Sequence, residues 1–295
     1  VNTAMTPAAP TATNLRDILA PQRLTEVVDV GANPIDGDPP YLAMLRDGLC
    51  RVTGFDPQPQ ALHELTQAQG PLERYLPWAL GDGGMHTLHI CAAPGMTSLL
   101  APDARSLALF EALQPLAEVR EQVAVQTRRL DDIAEIAHLD FLKIDAQGSE
   151  LAVFRAGRAR LAQAVMVQAE VSFVTLYKDQ PTQGEIDQEL RSQGFVPHCL
   201  AAVKQWPIAP CVVDGDPRRP LRQLLEADLV YMRDIRRPEA MDDEQLRHLA
   251  LLAHHCHGSF DLALRCLLLL EERGAVEGGA QQRYLQLLAA RGASA

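Results

Sequence analysis

The chain has few aromatic residues and little positive charge. Aromatics make up 5% of its 295 positions, with two tryptophans among them, and 27 Lys and Arg face 38 Asp and Glu for a net charge of −11. Nucleic-acid binding relies on clustered basic residues against phosphates and on aromatic faces for stacking, so the composition argues against a nonspecific nucleic-acid binder and no nucleic-acid partner is expected. No apolar run approaches the roughly 18 residues that a membrane span requires. Six cysteines (Cys50, Cys91, Cys199, Cys211, Cys256, Cys266) stand far apart and form no C-x-x-C pair. They read as reduced, mostly buried thiols of a cytoplasmic protein. The opening stretch, Val1 to Thr13, has no basic patch followed by an apolar run and does not read as a secretory signal.

What is present is ample material for a core, 47% apolar residues, enough for one large domain or a domain with an appendage. Residues 1–14, rich in Ala, Pro and Thr, are expected to form a disordered tail. Short apolar runs closed by turn residues then alternate with helical stretches. Expected strands are Glu26–Val30, Cys50–Phe55, Leu76–Leu80, Met85–Cys91, Gln122–Thr127, Asp140–Asp145, Ala164–Val171, Phe195–Val203 and Ala227–Met232. Helical patterns follow several of them, at Gln58–Gln69, Gln147–Arg160 and Thr182–Gln193. This alternation implies crossover connections and a mostly parallel sheet, an α/β fold. Beyond Pro238 three helical stretches (Glu244–His257, Phe260–Glu272, Gln281–Ala290) are punctuated by glycines. The expected division is therefore a sheet domain over 15–237 and a helical appendage over 238–295.

In an open parallel sheet, ligands bind beyond the carboxyl ends of the strands where strand order reverses. The residues just after the expected strands are Asp29-Val30-Gly31-Ala32-Asn33, Asp56-Pro57, Gly81-Asp82, Asp145 and Glu170. Singly, each acid could be a turn former or a helix cap; as an ordered set they point to a ligand. Gly31 lets the backbone turn without a Cβ in the way. Asp56 is placed to accept both hydroxyls of a ribose, as acids do in dinucleotide sites, and Asp82 to accept from an adenine amino group. No G-x-G-x-x-G occurs, and no basic residue lies between Asp29 and Pro40. A pyrophosphate would find no partner there, which disfavours NAD, ATP and other phosphate-dependent nucleoside enzymes. A nucleoside with a positive charge suits an acidic pocket, and S-adenosylmethionine is one.

The stretches Val27–Asn33, Gly54–Pro59, Ala79–Gly83, Thr127–Ile133, Asp140–Leu151 and Leu176–Pro181, which together span the chain from about Leu24 to Asp234, resemble those of the FkbM-type methyltransferases. The resemblance implies a Rossmann-like, class I methyltransferase sheet and S-adenosylmethionine-dependent methylation of oxygen on a sugar, glycan or natural product. It implies that Asp29, Gly31, Asn33, Asp56 and Asp82 hold the cofactor, with Ala32, Pro57 and Gly81 in the same loops. Asp145 would lie near the transferring methyl or the methionine amine. Two departures stand out. The first loop, Asn33-Pro34-Ile35-Asp36-Gly37, delays a second glycine, and Gln147 occupies a position where the family often has Glu.

An alcohol must lose its proton as it is methylated, and a carboxylate within hydrogen-bond reach can take it. Asp145 and Glu170, at neighbouring strand ends, are the candidates; alternatively they hold a magnesium ion that lowers the acceptor's pKa. Glu170 could instead be a structural ion-pair partner, for example of Lys143, and His198 is a weaker candidate base. His254-His255-Cys256-His257 puts only His254 and His257 on one helical face, too few ligands for a structural metal, so no metal residue is assigned. Leu246 to Arg273 resembles one tetratricopeptide-like helix pair with Ala263 as the small packing residue. The run Leu267-Leu268-Leu269-Leu270 needs cover on several sides, for which a homodimer through these helices is the expectation. The acceptor pocket is expected from Met85 to Pro115 and from Val203 to Arg222. A second class of function, a catalytically silent binding module that recruits partners through the helices, has Gln147 and the altered first loop in its favour and the intact acids against it.

Overall fold

The apolar runs become a seven-stranded sheet in the computed structural model of the chain, which describes residues 14–33 and 37–290. The expectations for the tail up to Thr13 and for Pro34 lie outside those residues. In chain order the first elements are α1 (Leu15–Leu19), β1 (Thr25–Val30), α2 (Leu42–Arg46), β2 (Cys50–Phe55), α3 (Pro59–Ala68) and β3 (Glu73–Leu76). An inserted stretch carries β4 (Met85–Cys91), α4 (Ala104–Leu107) and β5 (Val119–Gln126). The sheet resumes with β6 (Phe141–Ile144), α5 (Glu150–Ala156), α6 (Arg158–Leu161), β7 (Met166–Ser172), α7 (Gln183–Ser192), β8 (Phe195–Trp206) and β9 (Gln223–Arg233). Strand order is β3-β2-β1-β6-β7-β9-β8. The first five strands of that order run parallel, and β9 runs antiparallel to both β7 and β8. This is the Rossmann-like arrangement, with order reversing between β1 and β6.

Burial on both faces is what makes parallel strands read as continuous apolar runs. All seven residues of β7 are buried, polar Gln168, Glu170 and Ser172 included. The main core gathers Val28, Val30, Phe55, Leu142, Ile144, Phe154 and Val167 around it.

Three expectations need correction. The third strand is Glu73–Leu76, not Leu76–Leu80, because Pro77 has no N–H for the ladder and its ring fixes φ. After it Leu80 makes only an isolated bridge to Arg128. The strands β4 and β5 form their own antiparallel ribbon outside the main sheet. And the chain divides at Met241/Asp242 rather than at Pro238, with α1 grouped with the C-terminal helices instead of with the sheet domain.

The helical unit comprises α1, α8 (Asp243–His257), α9 (Phe260–Glu272) and α10 (Ala280–Ala290). Asp242 and Gln245 form a capping box that starts α8, and Gly258 at φ +61° ends it in the left-handed conformation that favours glycine. α9 packs against α8 and α10, and α1 packs against α8 and α10. Ala263 is fully buried, as expected of a small packing residue. Arg247 ties the unit together, donating to the carbonyls of Leu19 at 3.0 Å and Ala275 at 2.8 Å. Leu267, Leu269 and Leu270 are buried in the single chain, so the leucine run itself calls for no second copy. His254 is buried with Nδ1 2.9 Å from the Tyr284 hydroxyl. Among the described residues no group of three or more His, Cys, Asp or Glu could hold a metal, and no helix is long and apolar enough to cross a membrane.

Candidate active site at the carboxyl edge of the sheet

A cavity of about 310 Å³ opens beyond the strand ends at the point of reversal, within the size range of small-molecule sites. One half of it lies over β2, β1 and β6. There the backbones of β1 and β6 converge so closely that a Cβ on Gly31, at φ +76°, would come within 1.9 Å of the Asp145 carbonyl oxygen. Only glycine fits. The Phe55 carbonyl accepts from the N–H groups of both Gly31, at 2.9 Å, and Ala32, at 3.2 Å, and so fixes the loop's course.

Asp29 is buried beneath this loop, accepting from the Tyr41 hydroxyl at 2.6 Å and from Lys143 Nζ at 3.2 Å. Burial pushes its carboxyl up, with Lys143 and Tyr41 opposing. For Lys143, burial acts to lower the ammonium, yet Asp29 and Asp145 outweigh it and the net shift is upward. The pair is thus anchored, holding the floor of the cavity. Asp56, at the end of β2, accepts the Gln58 N–H on Oδ1 at 2.8 Å. Burial drives its pKa up to about 6, the Gln58 N–H counteracts and Asp29 adds to the rise. Asn33 and Pro57 complete this side, and Trp78 lines it with one face under the Arg128 guanidinium, 3.7 Å from the ring centroid.

Gly81 and Asp82 are not among the cavity-lining residues. Gly81 packs on Thr127, and Asp82, 58% exposed at its side chain, turns to the Gly84 N–H and to His86 Nε2, both at 2.7 Å. These bonds hold the Asp82 carboxyl below its usual range, the His86 bond first. The expected contact from this acid to an adenine amino group has no support in that geometry.

The other half of the cavity lies over β7, β9 and β8. Asp145 faces it from the end of β6, at the boundary of the two halves. Gln147, held at φ +50°, donates through Nε2 to Asp145 Oδ1 at 2.7 Å and to Glu170 Oε2 at 2.9 Å, while its Oε1 accepts from the Tyr177 hydroxyl at 2.9 Å. Glu at this position would place a third carboxylate between two others. The amide bridges them instead, which is the physical sense of this departure from the family pattern. Glu150 accepts the N–H groups of Ala146 and Gly148 beneath the turn, and burial raises its pKa to about 7 against those two bonds.

Glu170 is 5% exposed and does not line the cavity. Its ion-pair partner is Lys204, at 3.0 Å, not Lys143. Burial pushes its carboxyl well up, Asp145 and Glu226 add to this, and Lys204 opposes. With the Gln147 amide and the Lys204 ammonium directed at its oxygens, Glu170 acts through them and is a positioning residue, not one that meets an acceptor. The Gln147 amide occupies the place a cation would take between Asp145 and Glu170, and Lys204 takes the other Glu170 oxygen, so magnesium does not fit this donor set. Lys204 and Trp206, from β8, fall in the stretch Val203 to Arg222 expected to shape the acceptor pocket, whereas sequence reasoning missed Glu226 and Tyr177, which reach the site from β9 and the loop after β7. His198 is not a lining residue.

The methyltransferase FkbM domain matches residues 29–197, more than half of the chain. The chain belongs to the FkbM methyltransferase family. This FkbM methyltransferase is accordingly an S-adenosylmethionine-dependent methyltransferase. No curated protein matches it. Among solved structures it is similar to magnesium protoporphyrin IX methyltransferase from Synechocystis with bound S-adenosylmethionine, at 12% identity over 75% of this chain and 78% of that one, TM-score 0.37. It is also similar to precorrin-6y C5,15-methyltransferase from Geobacter metallireducens, at 12% identity over 76% and 89%, TM-score 0.31. The residues present fit the cofactor: a turn at Gly31 that no Cβ could occupy, and a buried acid, Asp56, at the neighbouring strand end.

Proposed function

We propose that this FkbM methyltransferase transfers a methyl group to a hydroxyl of a small-molecule or glycan acceptor. The observation that carries the reading is Asp145, an acid that lines the cavity from the end of the central strand β6. When bound, S-adenosylmethionine supplies an electrophilic methyl on a sulfonium. Asp56 would accept the ribose hydroxyls, and the Gly31-Ala32-Asn33 turn would follow the methionine portion. Asp29 holds that turn from below through Tyr41 and Lys143. Asp145, steadied by the Gln147 amide, takes the acceptor's proton as the new O–C bond forms. Most of the rate enhancement then comes from alignment of the acceptor opposite the S–CH3 bond.

Calorimetric titration with S-adenosylhomocysteine, followed by transfer of labelled methyl to hydroxylated acceptors, tests the reading. Asp145→Asn is expected to bind S-adenosylhomocysteine and lose turnover. Undiminished turnover in that variant removes Asp145 as the base. Folded wild-type protein that binds no S-adenosylhomocysteine would favour the silent binding module.

A further inference from the structure

The acceptor half of the cavity has a chemistry of its own. Its walls come from the inserted stretch after β3 (Leu88, Met96, Leu113), from the loop after β7 (Leu176) and from the antiparallel strands β8 and β9 (Trp206, Leu225). All of these but Leu88 belong to a second apolar cluster, separate from the main core, with Leu225 1% and Leu176 2% exposed and Trp206 packed at its edge. Six apolar side chains line this half, five of them buried and Trp206 half-buried. Buried apolar surface of this kind is favourable only against another apolar surface.

The charged groups of this half are Lys204, Glu226 and Asp228, with Asp145 at its boundary. Lys204 Nζ lies 3.0 Å from Glu170 Oε1 and 3.7 Å from Glu226 Oε2. Glu226 faces Lys204 across the β8–β9 register and Ser172 across β7–β9, which brings it to the carboxyl edge although its own strand runs the other way. Gln168 Nε2 approaches Asp228 Oδ2 at 3.5 Å. A phosphorylated or carboxylated acceptor would meet Asp145, Glu226 and Asp228, while the two lysines that line the cavity, Lys143 and Lys204, already pair with Asp29 and with Glu170 and Glu226, which is unfavourable at low dielectric.

We infer that the acceptor is an uncharged, hydroxyl-bearing small molecule with an apolar body. That body seats on Trp206 and the leucine wall, and the Lys204–Glu226 pair binds the polar end that carries the methylated hydroxyl beside Asp145. The inference rests on the methyltransferase reading above and adds the acceptor class to it. In the transfer, the hydroxyl oxygen forms the new O–CH3 bond as the S–CH3 bond breaks with its electron pair left on sulfur, and the hydroxyl proton passes to Asp145.

Two probes with the same hydroxyls isolate the apolar term: hexyl β-D-glucoside, below its micellar range, and methyl β-D-glucoside. Each is titrated calorimetrically into the full chain saturated with S-adenosylhomocysteine. The hexyl glucoside is expected to bind about tenfold or more tightly than the methyl glucoside. Trp206→Ala should weaken the hexyl glucoside by about tenfold, with Trp206→Phe restoring most of it. Glu226→Gln should weaken both probes alike. S-adenosylhomocysteine titrated into the same variants shows whether each remains folded with an intact cofactor half. The inference is overturned if the complex binds neither glucoside, binds both equally, or binds the hexyl glucoside unchanged after Trp206→Ala. Wild-type protein that does not bind S-adenosylhomocysteine instead overturns the methyltransferase reading, and this inference with it.

Discussion

The two halves of one cavity are built by opposite means. The half over β2, β1 and β6 is made of residues that immediately follow parallel strands, each placed by its own strand's end. The half over β7, β9 and β8 is made of residues from an inserted ribbon and an antiparallel pair, placed by contacts between segments far apart in sequence. The first is stiff because backbone meets backbone at Gly31 and Asp145. The second is held by side chains, a chain of bonds from Tyr177 through Gln147 to Glu170 and Lys204. Close backbone packing tolerates no variation, whereas a side-chain network can be re-cut to suit a different acceptor.

The most severe way to break that contrast is Gly31→Ala. A Cβ there meets the Asp145 carbonyl oxygen at 1.9 Å in a left-handed backbone, so the two central strand ends must separate. S-adenosylhomocysteine binding is expected to disappear and the thermal midpoint to fall; binding within tenfold of wild type would show that the junction is softer than argued. Next, Asp56→Ala should weaken S-adenosylhomocysteine by about 10- to 100-fold, the range for losing hydrogen bonds to a charged group.

Asp56 also sharpens the comparison through pH. Its pKa, pushed up to about 6, lies above the ordinary carboxyl value, so the ionised form that accepts from two hydroxyls predominates above pH 6 and is lost below it. Affinity should therefore decline as pH falls through about 6, and Asp56→Ala should flatten that profile. An unchanged slope in the variant would assign the titration elsewhere.

A smaller effect is expected on the side-chain-built half. Gln147→Glu replaces the bridging amide with a third acid between Asp145 and Glu170, and should lower folding stability by about 1–3 kcal/mol in urea titration. A fully stable variant would mean that the network rearranges freely. The smallest is Asp82→Ala. Because Asp82 turns to Gly84 and His86, S-adenosylhomocysteine affinity should stay within about twofold, the scatter of a surface change. A loss of tenfold or more would return Asp82 to the cofactor.

Much of the cofactor half was legible because its information is local. An apolar run followed by Asp-x-Gly, or by Asp-Pro, marks a buried strand and the turn that ends it, and Asp29, Gly31, Asp56 and Asp145 all line the cavity. Local patterning also misled. Leu76 to Leu80 has the apolar density of a strand, but Pro77 interrupts its ladder, and Asp82 beyond it is not a lining residue. Glu170 follows the same rule as the others yet is withdrawn behind Lys204. The expected sheet domain begins at residue 15 and so takes in α1, whereas the Arg247 bond to the Leu19 carbonyl, 228 positions apart, joins it to the C-terminal helices.

By itself the sequence determined the α/β class, the order of the parallel strands' acids and the family, since strand-ending turns and their glycines are properties of contiguous residues. Only the tertiary structure decided which acids face the cavity, that Gln147 joins Asp145 to Glu170, and that Lys204, Trp206 and Glu226 form the opposite wall. Those relations depend on the register of β8 on β9 and on which face of a strand a side chain leaves, and a one-residue shift in either reverses the answer.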